Sequence, residues 1–185
     1  MDEFRLTIEI GKPSYAQYNT VREAIPRSLW NAVRNHVHER SGHMCEICGK
    51  HDPDNLHAHE VWDYDEEAFL LILKEIQSLC KSCHDLKHFH HAVLRIKDRK
   101  VRDRVMRKLK RHFMRVNDCT EKEFTRHYYN QLAKSEVEPD ARSMEDLLEM
   151  NALRERQAFL MRQQWRFVVA DQVPFADEIR SQLES

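Results

Sequence analysis

Two cysteine pairs constrain this chain more than any other feature of its sequence. Cys45 and Cys48 form one Cys-x-x-Cys pair, and Cys80 and Cys83 form another, with 31 residues between the pairs. Two such pairs supply four thiolates from two tight turns, which is the ligand set of a tetrahedral structural zinc. Gly49 permits the turn that follows the first pair. We therefore expect one structural Zn²⁺ that has no open position for chemistry and that contributes folding free energy to a small central region.

The composition favours metal binding over a disulfide framework. The chain has 185 residues, of which 41% are hydrophobic and 33% charged, as in one domain or one domain with a substantial appendage. The longest apolar run, residues 68–73, is far too short to span a bilayer, and no secretory signal opens the chain. We therefore expect a cytoplasmic protein with no membrane partner, in which paired cysteines bind metal. We expect the fifth cysteine, Cys119, to be a free thiol.

Alternation of apolar and polar residues predicts the strands. It indicates a strand over residues 4–10, a second over 56–62 and a third over 165–170, while the apolar run at 69–73 completes a hairpin with the second. A plausible pairing joins 4–10 to 165–170, which the sequence alone does not establish. Residues 11–25 are predicted to be a loop.

Helical spacing and capping residues predict the helices. They place helices from Pro26 to Ser41-Gly42, from near Cys80, over 98–116, after the capping boxes at Thr120 and Ser143, and after Pro174. Residues 137–140 break the chain between two of these helices. The chain is therefore predicted to be an α+β protein whose C-terminal half is mainly helical.

Positive charge is concentrated in one predicted helix. Residues 95–115 carry a net charge of +9, whereas the rest of the chain carries −10. Apolar residues recur every three or four positions over 98–116, so the cations lie on an amphipathic helix. Such a helix either contacts phosphate or presents a solvated face, and both alternatives stay open. The residues expected to contact nucleic acid are Arg104, Arg107, Lys108 and Arg111.

Three histidines lie close to the cysteine pairs in the sequence. His84 and His88 are four residues apart on a predicted helix, which puts both imidazoles on one face where they can share a metal. His59 lies on the predicted strand between the pairs. A divalent ion in such a site can stabilise charge on a scissile phosphate, and a neutral imidazole can deprotonate the attacking water. Alternatively, the three histidines only form hydrogen bonds around a zinc ribbon.

The order of these residues resembles the HNH (His-Me finger) endonucleases that carry a zinc ribbon, a subgroup of bacterial and phage proteins. The similar string is a Cys-x-x-Cys, a strand with a His, and then Leu-Cys-x-x-Cys-His-x-x-x-His, over about residues 27–92. The resemblance implies a ββα-metal core on a four-cysteine zinc ribbon and hydrolysis of DNA phosphodiester bonds. It implies that His59 is the general base and that His84 and His88 bind a catalytic divalent metal, which would be Mg²⁺, Mn²⁺, Ni²⁺ or Zn²⁺.

Two positions depart from the family pattern. The residue before the base is usually an Asp or His that binds the metal, and here it is Ala58. The middle Asn of the family motif should lie about five residues before Cys80, where this chain has Glu75. Either another residue completes the metal site or the site is degraded. The candidate replacements are His57, Glu60 and Asp63. A degraded site would leave a zinc module that binds nucleic acid or a protein partner without catalysis.

Three segments follow from these patterns. Residues 1–26 form an N-terminal strand and loop, residues 27–92 the HNH and zinc-ribbon domain, and residues 93–185 a mainly helical region with the basic helix at 98–116. The C-terminal helices carry no recognisable chemistry of their own. We expect them to dock DNA, or to form a homo-oligomer or a contact with a protein partner.

Overall fold

The computed structural model describes residues 4–10, 12–17, 19–135 and 143–183, and these form an α+β fold. Three strands, β1 (Leu56–Asp65), β2 (Leu70–Cys80) and β3 (Arg166–Val169), form one sheet in the order β1-β2-β3. The α-helices are α1 (Val21–Ala24), α2 (Arg27–Arg40), α3 (Lys81–Lys87), α4 (Arg99–Asn117), α5 (Glu121–Lys134), α6 (Met144–Leu160) and α7 (Ala176–Leu183). A 3₁₀-helix at Ser14–Ala16 and a π-helix at His90–Leu94 complete the assignment.

The hairpin of β1 and β2 is longer than the alternation predicted. Both strands are present, but β1 continues to Asp65 and β2 to Cys80. The connecting turn is closed by Asp65, whose carboxylate accepts hydrogen bonds from the backbone N–H groups of Glu67 and Ala68 at 3.0 and 2.8 Å. Because β2 ends at Cys80 and α3 begins at the next residue, the second cysteine pair lies where strand becomes helix.

The strand predicted over residues 4–10 is wrong. Leu6, Ile8 and Ile10 are buried in alternation with more exposed residues, as predicted, but no strand forms there. Side chains of helices satisfy part of this backbone. Asn117 accepts a hydrogen bond from the N–H of Leu6 at 2.9 Å and donates one to its carbonyl oxygen at 2.8 Å. Alternating burial indicates an extended chain with one buried side, and such a chain need not belong to a sheet.

The partner of the C-terminal strand also differs from the suggested pairing. β3 pairs in parallel with β2, and Leu70 to Leu73 lie opposite Arg166 to Val169 in register. This parallel register makes β3 the edge of the sheet beside β2 and leaves the 4–10 segment outside the sheet.

Local capping signals predicted the longer helices, whereas the short helix α1 was predicted to be a loop. The capping boxes at Thr120 and Ser143 are both formed and begin α5 and α6. Asp98 caps α4 by accepting a hydrogen bond from the N–H of Val101 at 2.9 Å. The predicted loop at 11–25 contains α1 and the 3₁₀-helix, while the predicted break at 137–140 lies outside the described residues. Within the described residues, no helix is both long and apolar enough to cross a membrane.

The described residues divide into two compact units. The first takes its residues from 1–11, 34–59 and 77–135, and the second from 12–33, 60–76 and 136–185. Each unit has its own apolar cluster. In the first, Leu79, Leu86, Phe89 and Phe113 are fully buried. In the second, Tyr15, Ala16, Leu71 and Leu160 form the buried cluster, with Trp165 stacked on Tyr15 at 4.0 Å between ring centroids.

A half-buried acceptor on α5, His127, predicts pH-dependent stability of the first unit. His127 Nε2 accepts a hydrogen bond from the backbone N–H of Ile8 at 3.0 Å, so the ring is neutral there. Desolvation lowers the pKa of His127 below its ordinary value of 6.5, and the nearby charges of Lys134 and Lys87 lower it further. The unfolded chain therefore binds more protons than the folded chain below about pH 6.5.

We expect the free energy of unfolding to decrease as the pH falls below 6.5, and His127→Gln to reduce this decrease. Glutamine retains an oxygen that can accept from Ile8 but does not titrate. Urea unfolding of wild type and of the variant at pH 7.5 and 5.5 measures this loss of stability. Other histidines titrate in both proteins, so the difference between the two pH dependences is what reports His127. Identical pH dependences would contradict the assignment.

Candidate metal centres

The first cysteine pair is held in a tight turn by the backbone. The N–H of Cys45 donates to the carbonyl oxygen of Lys50 at 2.9 Å. The N–H of Gly49 donates to the carbonyl oxygen of Cys45 at 2.8 Å. Gly49 has a φ of +71°, a left-handed conformation that glycine adopts without the steric cost of a Cβ. The N–H of Glu46 donates to the carbonyl oxygen of Ser78 at 2.9 Å, which joins this turn to the end of β2.

The structure brings the four predicted cysteines together. Their Sγ atoms all lie within 4.8 Å of one another, and Cys45, Cys80 and Cys83 are buried. The Sγ atoms of Cys48 and Cys80 are 3.6 Å apart, too far for a disulfide bond. Tetrahedral zinc with Zn–S bonds of about 2.3 Å separates its sulfur ligands by about 3.8 Å, so the cluster has the dimensions of a zinc site.

The pKa shifts of Cys45, Cys48 and Cys83 also favour a cation. Hydrogen bonds from Cys80 and Cys83 lower the pKa of Cys45, whereas hydrogen bonds with the other sulfur atoms raise the pKa of Cys83. Desolvation raises the pKa of Cys48 to about 11. The thiolate form is therefore favoured at Cys45 and disfavoured at Cys48 and Cys83, because adjacent negative charges repel. A divalent ion removes that repulsion, so these residues fit Zn²⁺.

A histidine that the sequence analysis missed lies against this cluster. His112 of α4 is buried, and its Nε2 is 3.1 Å from Cys83 Sγ. Its Nδ1 is 3.1 Å from a guanidinium nitrogen of Arg115. Because arginine can only donate, Nδ1 accepts and the ring hydrogen lies on Nε2, directed at the sulfur. His112 lies between Leu109 and Phe113 on the apolar stripe of α4, and that placement was the available signal.

We expect loss of this hydrogen bond to weaken zinc binding without abolishing it. Partners of metal ligands typically contribute 10–100-fold in affinity. His112→Phe keeps a ring in the cavity and removes the donor, so we expect a weakening of about 10–100-fold. Competition with a chromophoric chelator measures it. His112→Gln retains an N–H donor and serves as the matched control, with an expected smaller loss. An unchanged affinity in both variants would assign His112 to packing alone.

Three of the predicted histidines converge in a second cluster. Side-chain nitrogens of His59, His84 and His88 lie within 4.8 Å of one another. His84 lies on α3, and His88 follows its end with its N–H bonded to the carbonyl oxygen of His84 at 3.0 Å, so the helical spacing is kept. His59 Nδ1 is 3.2 Å from His88 Nε2. Two nitrogens bound to one zinc at about 2.0–2.1 Å would be about 3.3 Å apart.

Electrostatics keep the His84 imidazole available as a ligand. Burial and the neighbouring His88, His57 and Lys81 lower the pKa of His84 to about 3. His84 is therefore neutral at physiological pH, which is the form that binds a metal. His57 does not belong to the cluster of His59, His84 and His88. It stacks on His84 with 4.5 Å between the ring centroids and 18° between the planes.

The carboxylates considered as replacement ligands have partners of their own. Glu60 accepts hydrogen bonds from the N–H of Arg22 at 3.0 Å and from the indole N–H of Trp62 at 3.1 Å. Desolvation raises the pKa of Glu60. Asp63 forms an ion pair of 3.8 Å with Lys74. Ala58 lies on β1 and offers no ligand atom, and the partly buried Glu75 lies on β2.

The basic helix presents its cations to solvent. Arg104, Arg107, Lys108 and Arg111 are all exposed on α4, at spacings of three and four residues that share one helix face. Leu109 and Phe113, on the opposite side, are buried. The predicted amphipathic helix is therefore present, and exposure makes its cationic face available to a partner.

Comparison of the chain with protein-family models, with curated proteins and with solved structures finds no match.

Proposed function

We propose that this protein is a metal-dependent endonuclease that hydrolyses DNA phosphodiester bonds at the cluster of His59, His84 and His88. The observation that carries the proposal is the convergence of these three side chains at the junction of β1, β2 and α3, beside a four-cysteine cluster suited to structural zinc. Two strands followed by a helix, with His59 on the first strand, His84 on the helix and His88 directly after it, support the ββα-metal core of the HNH resemblance.

The roles we assign follow from the side chains. His84 and His88 would hold the divalent ion, which is Mg²⁺, Mn²⁺, Ni²⁺ or Zn²⁺. When bound, such an ion stabilises the negative charge that develops on the phosphate and on the leaving oxygen. His59 would take the proton of the attacking water, since a neutral imidazole has a basicity suited to this transfer near neutral pH. Its burial keeps the imidazole oriented against His88.

A second function is favoured by the two departures from the family pattern. Ala58 supplies no metal ligand, and Glu75 occupies the position of the expected Asn. A zinc module that has lost catalysis would keep the fold and bind nucleic acid or a protein partner. In that case the three histidines stabilise the hairpin and α3 through ring contacts such as that of His84 with His88, whose centroids are 4.5 Å apart.

A plasmid-cleavage assay separates the two functions. Purified protein is incubated with supercoiled plasmid and with Mg²⁺, Mn²⁺, Ni²⁺ or Zn²⁺ in turn. Nicked or linear plasmid, absent with His59→Ala, supports the nuclease. Binding of DNA or of a partner without cleavage under any of the four ions supports the zinc module.

For the basic helix, we expect charge reversal to weaken DNA binding about equally for all sequences. Arg104, Arg107 and Arg111 lie on one face over about 10 Å of helix, where they can contact successive phosphates. The triple change to Glu should lower affinity and flatten the salt dependence, because each lost phosphate contact reduces the slope by about 1. Fluorescence anisotropy with two unrelated duplexes at several salt concentrations measures both.

The matched control reverses three exposed cations of α5, which are Lys122, Arg126 and Lys134. This control changes the net charge equally but leaves the α4 face intact. If the α4 variant keeps the wild-type affinity and salt slope, its cations form only a solvated face.

A further inference from the structure

A cationic pocket lies beside the four-cysteine cluster. The cavity has a volume of about 590 Å³, and the sulfur-bearing residues Cys48 and Cys80 form part of its wall. Among the residues that the structure describes, no acidic one lines it. The cationic side chains that line it come from four separate parts of the first unit, and they are Arg5, Lys50, Lys81, Lys108 and Arg115. All five are exposed, so a ligand can reach them from solvent.

Part of this positive charge has no carboxylate partner among the described residues. Lys50 pairs with Asp52, and Lys81 pairs with Asp85 at 2.9 Å. In contrast, the guanidinium of Arg5 donates to the carbonyl oxygen of Ile47, which is neutral. The Arg115 guanidinium donates to His112, and Lys108 lies in no ion pair with a described carboxylate.

Two explanations account for such a cavity. A zinc on four thiolates carries a net charge of about −2, and neighbouring cations can balance it. The other explanation is an external anion. The buried Nε2–H of His112 already serves Cys83, and the guanidinium of Arg115 holds that ring. Lys50 and Lys81 are neutralised by their carboxylates, whereas the three cations without a described carboxylate carry +3, about one charge more than a tetrathiolate zinc of about −2 requires. The excess charge points to an anion from outside the protein.

We infer that this pocket binds a phosphate group of a nucleic-acid backbone. Lys108 is shared between the pocket and the exposed cationic face of α4 that also carries Arg104 and Arg111, so the pocket continues into a line of cations. A small anion would need only the pocket, whereas a polyanion uses both. The inference deepens the proposed function by naming where the nucleic acid is anchored, beside the zinc cluster, and it rests on that function only for the identity of the polymer.

The test is DNA binding by the full-length, zinc-loaded protein without any added divalent ion. In the double variant Lys108→Gln with Arg115→Gln, we expect the magnitude of the negative slope of log affinity against log salt to decrease by about 2. Lys108→Gln alone should lower it by about 1, and the exposure of this side chain makes the change compatible with folding. The matched control is Lys122→Gln with Arg126→Gln on α5, which should leave the slope near the wild-type value.

Two further measurements identify what the pocket holds. Measuring the zinc content of each variant tests whether the cations only balance the charge of the thiolates. If a variant contains less zinc but keeps the wild-type salt slope, the cations serve the zinc site and the inference is wrong. Thermal stabilisation by inorganic phosphate tests a free anion. The ligand is a free anion, and the inference is wrong, if phosphate stabilises wild type but not the double variant while the two proteins bind DNA with the same salt dependence. Because binding is measured without cleavage, a protein that binds in this way but cuts nothing contradicts only the proposed nuclease activity.

Discussion

Cys80→Ser is expected to release the zinc and to abolish cooperative folding of the first unit. Cys80 is buried, ends β2 and precedes α3, so its thiolate joins the hairpin to the helix. Apparent binding free energies of structural zinc are about 10–16 kcal/mol in zinc-finger peptides, whereas a native domain is stable by only about 5–15 kcal/mol. Loss of the site therefore removes a contribution as large as the whole stability.

Elemental analysis of natively purified protein and urea unfolding monitored by circular dichroism measure this effect. Wild type should contain one zinc per chain. Cys119→Ser is the matched control, since Cys119 follows α4 and belongs to neither cysteine pair. It should keep the zinc and unfold cooperatively. Wild type without zinc, or a Cys80→Ser protein as stable as the control, would overturn the structural zinc.

The second large effect is expected at His59. If the cluster is catalytic, His59→Ala should reduce plasmid cleavage by about 10²–10⁴-fold, the usual contribution of a general base. The variant should keep its zinc, because His59 is not one of the four thiolate ligands. His91→Ala is the matched control, because His91 is an exposed histidine of the π-helix outside the cluster, and it should cleave like wild type.

Metal affinity separates the two chemical roles open to His59. If His59 acts as the base, calorimetric affinity for Mn²⁺ should be unchanged in His59→Ala and reduced in His84→Ala, and excess ion should partly restore cleavage to the His84 variant. If both variants lose affinity equally, His59 is a third ligand, which its 3.2 Å distance to His88 Nε2 permits. Wild type that cuts nothing with any divalent ion but binds DNA or a partner normally would instead support the non-catalytic zinc module.

Features that depend on neighbours in the sequence could be predicted from it. Capping boxes at Thr120 and Ser143 act over three residues, so the starts of α5 and α6 followed directly from residue types. The cysteine pairs likewise act through tight local turns, and their spacing predicted the four-sulfur cluster that the structure contains. The four-residue spacing of His84 and His88 predicted their shared face, because a helix repeats every 3.6 residues.

Features that depend on distant partners were decided only by the tertiary structure. Residues 4–10 have the alternation of a strand, but Asn117 and His127, more than a hundred residues away, bind their backbone in place of a sheet. The pairing of β3 with β2 depends on which strand edge offers unpaired backbone groups, and alternation within β3 carries no information about it. The contact of His112 with Cys83 and the pocket of five cations join segments that are remote in the sequence. Local residue preferences specify elements and turns, whereas burial of apolar surface and satisfaction of backbone groups select among the many long-range arrangements that those elements allow.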